Sequence, residues 1–525
     1  MKVRLLHPEY DFDLTSHLPW QIDALLTDDL ELNRIYDAMA AGEKFLHQTA
    51  KAVLPQSITD PAVITYRQQV VADTLANRPL VEQIYDIAAG VDGIELRHKV
   101  FLGGLKSKDP TAILRRSVRI VELLTDTLRQ LRDLVARSVN RFRSPGLQKF
   151  AAMLTEQIPD EYLRHVGRSL SEFQQSRGVL LSSELGAGNN AEHHVLHQPP
   201  RRNLLSRFTE TPGEGYEFTV DANDVPGAEA LAKLAGRAVN NIANVVTQSA
   251  EHLQQFFSRL RLELAFYLGC ANLHHKLAQR GIATCYPTPT PSQPHRFRCS
   301  DLRDIGLCLA TGNTVRGATI DADGKALTVV TGANGGGKST FLRSVGTAQL
   351  MMQAGMFVTA DAFTANVRSA IFTHFPREED ATLIHGKLDE ELARMSALVE
   401  HVDSTALLLC NESFASTNEL EGSQLARHIV DAMIDGGVKV LFVTHLYDLA
   451  RNLHARRDPT HIFLRAERRP DGGRTFRLLP GDPEPTSHGL DSFRQIFGAA
   501  PRAGLFARIA GNGEMARGSN LEDCR

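Results

Sequence analysis

Apolar residues in the first half of the chain recur every three or four positions, which is the spacing of an amphipathic helix. This pattern runs from about residue 20 to about residue 280 and predicts a mostly helical region. Its clearest example is a run of nine apolar residues, Ile113, Leu114, Val118, Val121, Leu124, Leu128, Leu131, Leu134 and Val135. Between about 183 and 228 glycine, proline and asparagine break the pattern, with one strand-like piece at 216–220, so we expect a loop-rich tip there.

The pattern changes after a proline-rich stretch at 286–294, whose stiffness is typical of a boundary between domains. Beyond it, short and almost continuous apolar runs alternate with helical segments. The runs at 326–330, 406–410 and 438–443 suit parallel strands that are covered on both faces. We therefore predict an α + α/β protein with a helical domain at 1–295, an α/β domain at 296–500 and a flexible tail at 501–525.

Composition excludes some classes of protein. The chain has 525 residues, enough for two or three domains, and its formal net charge of -3 excludes a uniformly basic nucleic-acid coat but allows a local basic surface. The six cysteines are scattered, without the close pairs of a zinc site, which favours reduced thiols. No apolar run is long enough to cross a bilayer and the first residues lack a signal-peptide pattern, so we expect a cytoplasmic protein that makes no membrane contact.

A glycine-rich segment follows the first of the three apolar runs. Residues 332–339 match the pattern G-x-x-x-x-G-K-[ST], with a strand before it and a helical segment after it. Such a loop directs backbone N–H groups and the positive end of a helix toward phosphate oxygens. The pattern predicts a loop that binds ATP, in which Lys338 contacts the β- and γ-phosphates and Ser339 binds Mg²⁺; the alternative is a turn that binds nothing. The predicted nucleotide-binding residues are Gly332, Asn334, Gly335, Gly336, Gly337, Lys338, Ser339 and Thr340.

Polar residues also follow the other two apolar runs. Asn411 and Glu412 end the second run, at the Walker B position where an ABC-like P-loop ATPase has Asp-Glu. We predict that Glu412 polarises the attacking water and that Asn411, with Ser339, is a metal ligand, although Asn411 offers Mg²⁺ an amide oxygen in place of a carboxylate. His445 follows the third run, at the end where a doubly wound sheet binds its ligand, and is the second predicted catalytic residue. The alternatives are a solvated carboxylate for Glu412 and a packed or exposed side chain for His445.

Three blocks of sequence carry a resemblance to a known family. The chain contains TGANGGGKSTFLRSVG, NESFASTNELEG and VLFVTHLYDLA, in the order and with the spacing of the ATPase domain of the MutS family. The resemblance implies a P-loop, ABC-like α/β ATPase that follows a core and lever of long helices. It also implies that Asn334 helps to hold the phosphates, that Thr417 and Gly422 belong to the turn after Walker B, and that His445 is the family's histidine switch.

The resemblance is weaker upstream and outside the three blocks. It extends over residues 64–75, similar to the start of the family's helical core, and over residues 262–277, similar to the helix before the ATPase. The chain begins almost at that core, which leaves no room for the mismatch-binding domain with its Phe-x-Glu wedge or for the connector domain. We therefore expect no mismatch insertion, and we find no nuclease-like extension after the ATPase.

One family motif is only partly present. The family's Ser-x-Phe-x-x-Glu signature reaches the ATP of a second subunit, and the corresponding segment here is 385–392. Glu391 fits the pattern and the serine is missing, which leaves Gly386 or Lys387 as the candidates for that contact.

A basic stretch is the first candidate for contact with DNA. Between 115 and 149 nine basic residues stand against three acidic ones, Glu122, Asp126 and Asp133. Such a surface could contact phosphates without reading sequence, and the alternative is a solvated helix face. The basic residues are Arg115, Arg116, Arg119, Arg129, Arg132, Arg137, Arg141, Arg143 and Lys149.

The loop-rich segment at 183–228 holds two further candidates. The pair Arg201-Arg202 is placed as in a reduced clamp on DNA. The histidines His193, His194 and His197 could bind a metal, but no cysteine or carboxylate completes the set, which favours a plain loop.

Our favoured hypothesis is a MutS-like homodimer that clamps duplex or branched DNA without sequence specificity, with ATP binding and slow hydrolysis controlling the clamp. The alternative, which Asn411 favours, is an ATP-gated scaffold for other proteins with little or no hydrolysis. An ABC transporter or a chromosome-structural ATPase fits less well, because the chain has no Leu-Ser-Gly-Gly signature and no long coiled coil.

Overall fold

The computed structural model describes residues 1–12, 20–101, 110–174, 180–185, 191–197, 225–311, 315–377, 386–469 and 473–484. The helices are α1 Trp20–Asp29, α2 Leu32–Ala40, α3 Lys44–Val53, α4 Pro61–Ala76, α5 Arg78–Phe101, α6 Pro110–Ala136, α7 Pro145–Glu156, α8 Asp160–Gln174, α9 Val225–Gln279, α10 Ile305–Thr311, α11 Lys338–Gln353, α12 Lys387–Val399, α13 Glu419–Asp435 and α14 Tyr447–Ala455. The strands are β1 Leu180–Leu185, β2 Ala191–His197, β3 Thr288–Thr290, β4 Phe297–Leu302, β5 Ala318–Asp321, β6 Leu327–Gly332, β7 Ala362–Asn366, β8 Ile371–His374, β9 Leu407–Asn411, β10 Lys439–Val443, β11 His461–Arg468 and β12 Arg474–Pro480.

The chain divides into two compact units. The first comprises Met1–Phe12 and Ala72–Leu268, and the second comprises Asp13–Val71 and Gly269–Arg525. Residues 13–71, which the sequence groups with the helical half, thus pack with the unit that contains the strands β3 to β12. The boundary at residue 295 stays a prediction.

Long helices make up most of the described part of the first unit. The apolar spacing of α6 corresponds to burial, since its residues Leu114, Val118, Val121, Leu124, Leu128, Leu131 and Val135 are at most 5% exposed. The next helix, α7, begins at a local signal, because Ser144 accepts a hydrogen bond from the backbone N–H of Leu147 and is followed by Pro145. The carboxylate of Asp73 fixes this start by accepting bonds from the N–H groups of Arg143 and Ser144.

The segment predicted as a loop-rich tip contains a β-hairpin. Strands β1 and β2 pair antiparallel, so residues 183–185 and 191–197 of this segment form strands that the sequence did not predict. Short polar strands of this kind lack the clean alternation of apolar and polar residues that marks a strand in sequence. The strand-like piece at 216–220 lies outside the described residues.

Two mixed sheets form the centre of the second unit. The six-stranded sheet has the order β12-β11-β6-β10-β9-β8, in which β11, β6, β10, β9 and β8 run parallel and β12 pairs antiparallel with β11. The four-stranded sheet has the order β3-β7-β4-β5. The three strands predicted from apolar runs are β6, β9 and β10, and all of their apolar residues are buried, as expected for parallel strands covered on both faces.

The register of the large sheet brings the ends of these three strands together. Val443 at the end of β10 pairs with Val330 of β6 and with Asn411, the last residue of β9. The residues that follow the three strands therefore meet at one edge, as the carboxyl ends of parallel strands do.

Two sequence-based expectations concern the whole chain. Among the helices that the structure describes, none has the length and hydropathy needed to cross a membrane. The five cysteines within the described ranges, Cys270, Cys285, Cys299, Cys308 and Cys410, are free thiols.

Candidate functional site

The glycine-rich loop joins β6 to α11 through backbone conformations that favour glycine. Gly332, Gly335 and Gly337 have φ angles of 107°, 69° and 92°, in the left-handed region. Gly336 is required for a different reason, because a Cβ atom there would lie 2.7 Å from the Cβ of Ala466 on β11. The chain can therefore turn tightly from the strand into the helix only with glycines at these positions.

Lys338, the first residue of α11, is folded back over the loop. Its Nζ donates hydrogen bonds to the carbonyl oxygens of Gly332 and Ala333, at 3.0 and 3.2 Å. The side chain is buried, which lowers the pKa of its ammonium group, while the nearby Glu412 carboxylate opposes that shift. Within the described part of the chain the hydrogen bonds of this cation go to neutral carbonyl oxygens, and an anion could replace these bonds.

Ser339 and Asn411 meet across the edge of the sheet. The Ser339 hydroxyl donates a hydrogen bond of 2.9 Å to Oδ1 of Asn411. Both side chains offer oxygen atoms, which suits the preference of Mg²⁺ for oxygen ligands, although neither oxygen carries a charge. The two predicted metal ligands therefore lie together, and the charge that would balance a divalent cation must come from another group.

Glu412 and His445, the two predicted catalytic residues, are also neighbours. Nδ1 of His445 lies 3.7 Å from Oε1 of Glu412, an ion-pair distance that is too long for a hydrogen bond. The interaction lowers the pKa of the Glu412 carboxyl and raises the pKa of the His445 imidazole. Both side chains remain partly exposed, so a ligand at this edge could reach them.

Lys338, Ser339 and Glu412 line a pocket of about 520 Å³. Of the predicted residues, Gly332, Asn411 and His445 do not line it, while Asn334 to Thr340 and Glu412 do. Its other walls come from residues that the sequence did not identify, chiefly Leu302, Asp304, Leu307, Val315, Phe476 and Leu478. Phe476 and Leu478 alternate with polar residues in the sequence of β12, which is the only signal that could have marked them.

The turn after β9 packs tightly against its surroundings. A Cβ atom on Gly422 would lie 2.4 Å from the carbonyl oxygen of Phe414, so only glycine allows α13 to approach the turn this closely. The hydroxyl of Thr417 donates a hydrogen bond of 2.6 Å to Glu421, and Asn418 caps α13 by accepting from the N–H of Glu421. Thr417 and Gly422 thus lie in and beside this turn, where the resemblance puts them.

Glu391 is buried against the same turn. It is 4% exposed, and its Oε2 accepts a hydrogen bond of 2.7 Å from the backbone N–H of Phe414. Gly386 precedes α12 as its N-cap residue and Lys387 begins the helix. The residues before them, 378–385, lie outside the described part of the chain.

Seven of the nine basic residues at 115–149 form two groups that differ in ion pairing. Arg119, Arg129 and Arg132 form ion pairs with Glu122, Asp126 and Asp133. By contrast, Arg137, Arg141, Arg143 and Lys149 are exposed, and none of them has an ion-pair partner among the described residues. We call these four the α6–α7 basic patch.

Two other candidates, both in the loop-rich segment, stay predictions. Arg201 and Arg202 lie outside the described residues. His193, His194 and His197 lie on β2, and the metal site proposed for them stays a prediction.

Two models of known protein families match separate parts of the chain. Residues 59–280 match the MutS2 N-terminal domain and residues 328–496 match MutS domain V. The second match contains the glycine-rich loop, Asn411, Glu412 and His445, whereas residues 1–58 belong to neither match.

Individual relatives cover different parts of the chain. The DNA mismatch repair protein MutS of Thermotoga neapolitana is 26% identical over 426 residues, which are 75% of this chain and 51% of that protein. MutS of Chloroflexus aurantiacus is 32% identical over 246 residues, 44% of this chain and 25% of that protein. Endonuclease MutS2 of Brevibacillus brevis is 29% identical over 199 residues, 37% of this chain and 23% of that protein. The chain therefore spans about half the length, or less, of these relatives, and from its two domain matches and these likenesses it belongs to the MutS family.

Proposed function

We propose that this protein binds ATP in the pocket beside the glycine-rich loop and hydrolyses it slowly to control its hold on DNA. The observation that carries the proposal is the meeting of Lys338, Ser339, Asn411 and Glu412 at one edge of the sheet, beside a pocket of about 520 Å³. The pocket has an apolar side, with Val315, Phe476 and Leu478, and a polar side made by the loop. This asymmetry suits a nucleotide, whose base is flat and apolar and whose phosphates are charged.

The loop backbone, Lys338 and Phe476 each contact a different part of the nucleotide. The backbone N–H groups of 334–339 and the N-terminus of α11 provide positive partial charge for the phosphates. The ammonium group of Lys338, which bonds two carbonyl oxygens of the loop, turns to the β- and γ-phosphates when ATP binds. The exposed Phe476 stacks on the base.

Hydrolysis needs a water molecule in line with the γ-phosphorus. Glu412 accepts a hydrogen bond from this water and receives its proton as the new P–O bond forms, while the bond to the bridging oxygen breaks and ADP leaves. His445, at 3.7 Å, keeps the Glu412 carboxylate ionised and oriented. Ser339 and Asn411 are the residues that would hold Mg²⁺, which supplies positive charge to the phosphate oxygens.

A second function has one observation in its favour. Asn411 gives the metal a neutral amide oxygen, and without a carboxylate at this position the protein could bind ATP and hardly hydrolyse it. It would then be an ATP-gated scaffold for other proteins. The retained Glu412 and His445 favour hydrolysis, and the rate of phosphate release decides between the two functions.

The partners are proposed from the family and from charge. The relatives that match the chain include proteins named for DNA mismatch repair, and the α6–α7 basic patch provides exposed cations for phosphates. We propose a cytoplasmic homodimer that clamps duplex or branched DNA without reading its sequence, with the predicted helical domain at 1–295 as the clamp and the α/β domain at 296–500 as the ATPase.

Two variants test the nucleotide site. Lys338→Ala should weaken ATP binding by roughly one to two orders of magnitude, because a charge-assisted bond is worth about 1.5–3 kcal/mol. Glu412→Gln should bind ATP normally and release no phosphate, because Glu412 acts on the water and not on the phosphates. Affinity is measured with a fluorescent ATP analogue and hydrolysis by Mg²⁺-dependent phosphate release.

A matched lysine provides the control. Lys325 precedes β6 at the opposite end of the strand and donates to the carbonyl oxygen of Pro459, so Lys325→Ala should change neither measurement. Unchanged ATP affinity in Lys338→Ala would refute the phosphate-binding loop. Full hydrolysis in Glu412→Gln would remove Glu412 from the reaction.

A further inference from the structure

The turn that carries Glu412 has an unusual backbone. Glu412 and Phe414 have φ angles of 51° and 64°, in the left-handed region that non-glycine residues rarely adopt. Each such residue costs of the order of 1 kcal/mol or more, and it persists only where its surroundings hold it. Two of them within three residues, at the proposed water-activating carboxylate, require an identifiable cause in the structure.

Hydrogen bonds fix the turn from both sides. The N–H of Glu412 donates to the carbonyl oxygen of Val443 at 2.8 Å, which continues the pairing of β9 with β10. The N–H of Phe414 donates to Oε2 of Glu391 at 2.7 Å. Phe414 is completely buried and Glu391 is 4% exposed, so this bond does not compete with water.

His374, at the end of β8, joins Glu391 to the same turn. Its Nε2 lies 3.0 Å from the carbonyl oxygen of Glu391 and its Nδ1 lies 2.7 Å from the hydroxyl of Ser413. A neutral ring with its proton on Nε2 donates to the carbonyl oxygen of Glu391, while Nδ1 contacts the Ser413 hydroxyl, which also donates to the backbone carbonyl oxygen of His374 at 3.0 Å. The ring also stacks on that of Phe414, with 5.4 Å between centroids. Burial lowers the pKa of His374 to about 4, in agreement with a neutral ring.

Three of these contacts reach the turn from Glu391 and His374: Glu391 to Phe414, His374 to Ser413 and His374 to Phe414. They reach the turn from two separate elements, since Glu391 belongs to α12 and His374 to β8, and each acts on a residue next to or near Glu412. None of them touches the pocket itself, whose described walls include Glu412 and neither Glu391 nor His374. Loss of such a contact should therefore disturb the carboxylate and leave the phosphate-binding loop intact.

We propose that Glu391 and His374 are positioning residues that hold the 412–414 turn in its left-handed form, so that Glu412 faces the γ-phosphate of ATP. The rate of ATP hydrolysis then depends on the position of α12. This inference rests on the proposed role of Glu412 in hydrolysis. It gives Glu391 a role within its own chain, through the hydrogen bond that its carboxylate accepts from the backbone N–H of Phe414.

The test separates positioning from general stability. Glu391→Met removes the acceptor for the Phe414 N–H and should lower kcat by about 10²-fold, the loss expected from a misplacement of about 1 Å, with no change in the Kd for ATP. Glu391→Gln keeps an acceptor oxygen and should restore most of kcat. His374→Phe keeps the stacking on Phe414, loses both hydrogen bonds and should behave like Glu391→Met.

Met395 provides a matched control, because it is 2% exposed and lies one turn further along α12. Met395→Ala should lower the Tm at least as much as Glu391→Met and leave kcat unchanged. If kcat falls equally in Met395→Ala and Glu391→Met, or if the Kd for ATP weakens together with kcat, Glu391 supports the whole site and the positioning role is refuted.

A crystal structure of Glu391→Met gives a result that does not depend on activity. We expect the backbone of Glu412 and Phe414 to leave the left-handed region and the Glu412 carboxylate to move away from His445. An unchanged turn overturns the inference. Absence of phosphate release from the wild-type protein would instead refute the proposed hydrolysis, and the backbone of the variant would still decide what holds the turn.

Discussion

Asn411 has an amide where the proposed Walker B position would have a carboxylate. Its Oδ1 accepts a hydrogen bond from the Ser339 hydroxyl at 2.9 Å, and the side chain is only partly buried. An aspartate could accept the same bond with either oxygen and remain in contact with solvent. The geometry therefore favours the interpretation that the proposed metal site lacks a negative charge. It does not favour the alternative, in which the surroundings of Asn411 have adapted to its amide.

The first prediction concerns this missing charge. Asn411→Asp should lower the Mg²⁺ concentration for half-maximal hydrolysis by roughly tenfold, since a charged ligand strengthens the contact by about 1–2 kcal/mol, and it should raise kcat. Mg²⁺ titrations of phosphate release measure both effects. Asn452→Asp, an exposed site on α14, adds the same charge elsewhere and should change neither. A slower Asn411→Asp enzyme with weaker Mg²⁺ dependence would mean that the site has adapted to the amide.

At the scale of elements, α9 holds the first residues of the chain through one buried carboxylate. Glu263 is completely buried, and its Oε2 accepts hydrogen bonds from the N–H groups of Leu5 and Leu6 at 2.6 and 2.8 Å. The hydroxyl of Tyr267, one turn along α9, donates to the carbonyl oxygen of Leu5 at 2.6 Å. Burial raises the pKa of Glu263 to about 7, more than these bonds lower it.

The second prediction follows from this raised pKa. Between the usual pKa of about 4.5 and about 7, the unfolded chain loses the Glu263 proton while the folded protein keeps it, so stability falls as pH rises through this range. The free energy of unfolding falls by roughly a few kcal/mol over this pH range. Glu263→Gln keeps an acceptor oxygen and cannot ionise, so it should lose this pH dependence and be more stable than the wild type at pH 8. Urea unfolding from pH 4.5 to 8 measures the effect.

An exposed carboxylate on the same unit provides the control for that series. Glu156, at the end of α7, is exposed, and Glu156→Gln should keep the pH dependence of the wild type. If Glu263→Gln and the wild type show the same slope, Glu263 is ionised in the folded protein and the assigned pKa is wrong.

At the scale of the whole molecule, the distribution of charge matters more than its sum. The net charge of -3 gives no general attraction to DNA, and three of the nine basic residues at 115–149 are paired with the three acidic ones. The α6–α7 basic patch remains as a local group of exposed cations near the end of α6 and the start of α7. We expect this group to contribute more to the salt dependence of DNA binding than the ion-paired arginines do.

The third prediction compares paired with unpaired arginines. Arg141→Gln combined with Arg143→Gln should weaken binding evenly across DNA sequences and reduce the slope of log K against log salt by about 1.8, at about 0.9 for each phosphate contact. Arg119→Gln combined with Arg129→Gln removes the same charge from ion-paired positions and should change the slope less. Equal slopes in the two double variants would make the patch an ordinary solvated face.

The sequence determined the elements of the proposed nucleotide site because their signals are local. Continuous apolar runs predicted β6, β9 and β10, and the G-x-x-x-x-G-K-[ST] pattern predicted the loop between β6 and α11. Backbone conformation within a few residues depends on glycine freedom and on the period of burial, both of which can be read along the chain. The meeting of Ser339 with Asn411 also followed, since parallel strands bring their carboxyl ends to one edge.

Tertiary structure alone decided which distant residues complete the site. The sequence missed the pocket walls at Phe476 and Leu478, because β12 reaches the loop only through its pairing with β11. It gave no sign that the Glu391 carboxylate accepts a hydrogen bond from the backbone N–H of Phe414. It could not assign residues 13–71 to the second unit or Glu263 to the backbone of Leu5 and Leu6. Such contacts depend on how finished helices and sheets pack, and the spacing of residues within one element carries no information about the element that will lie against it.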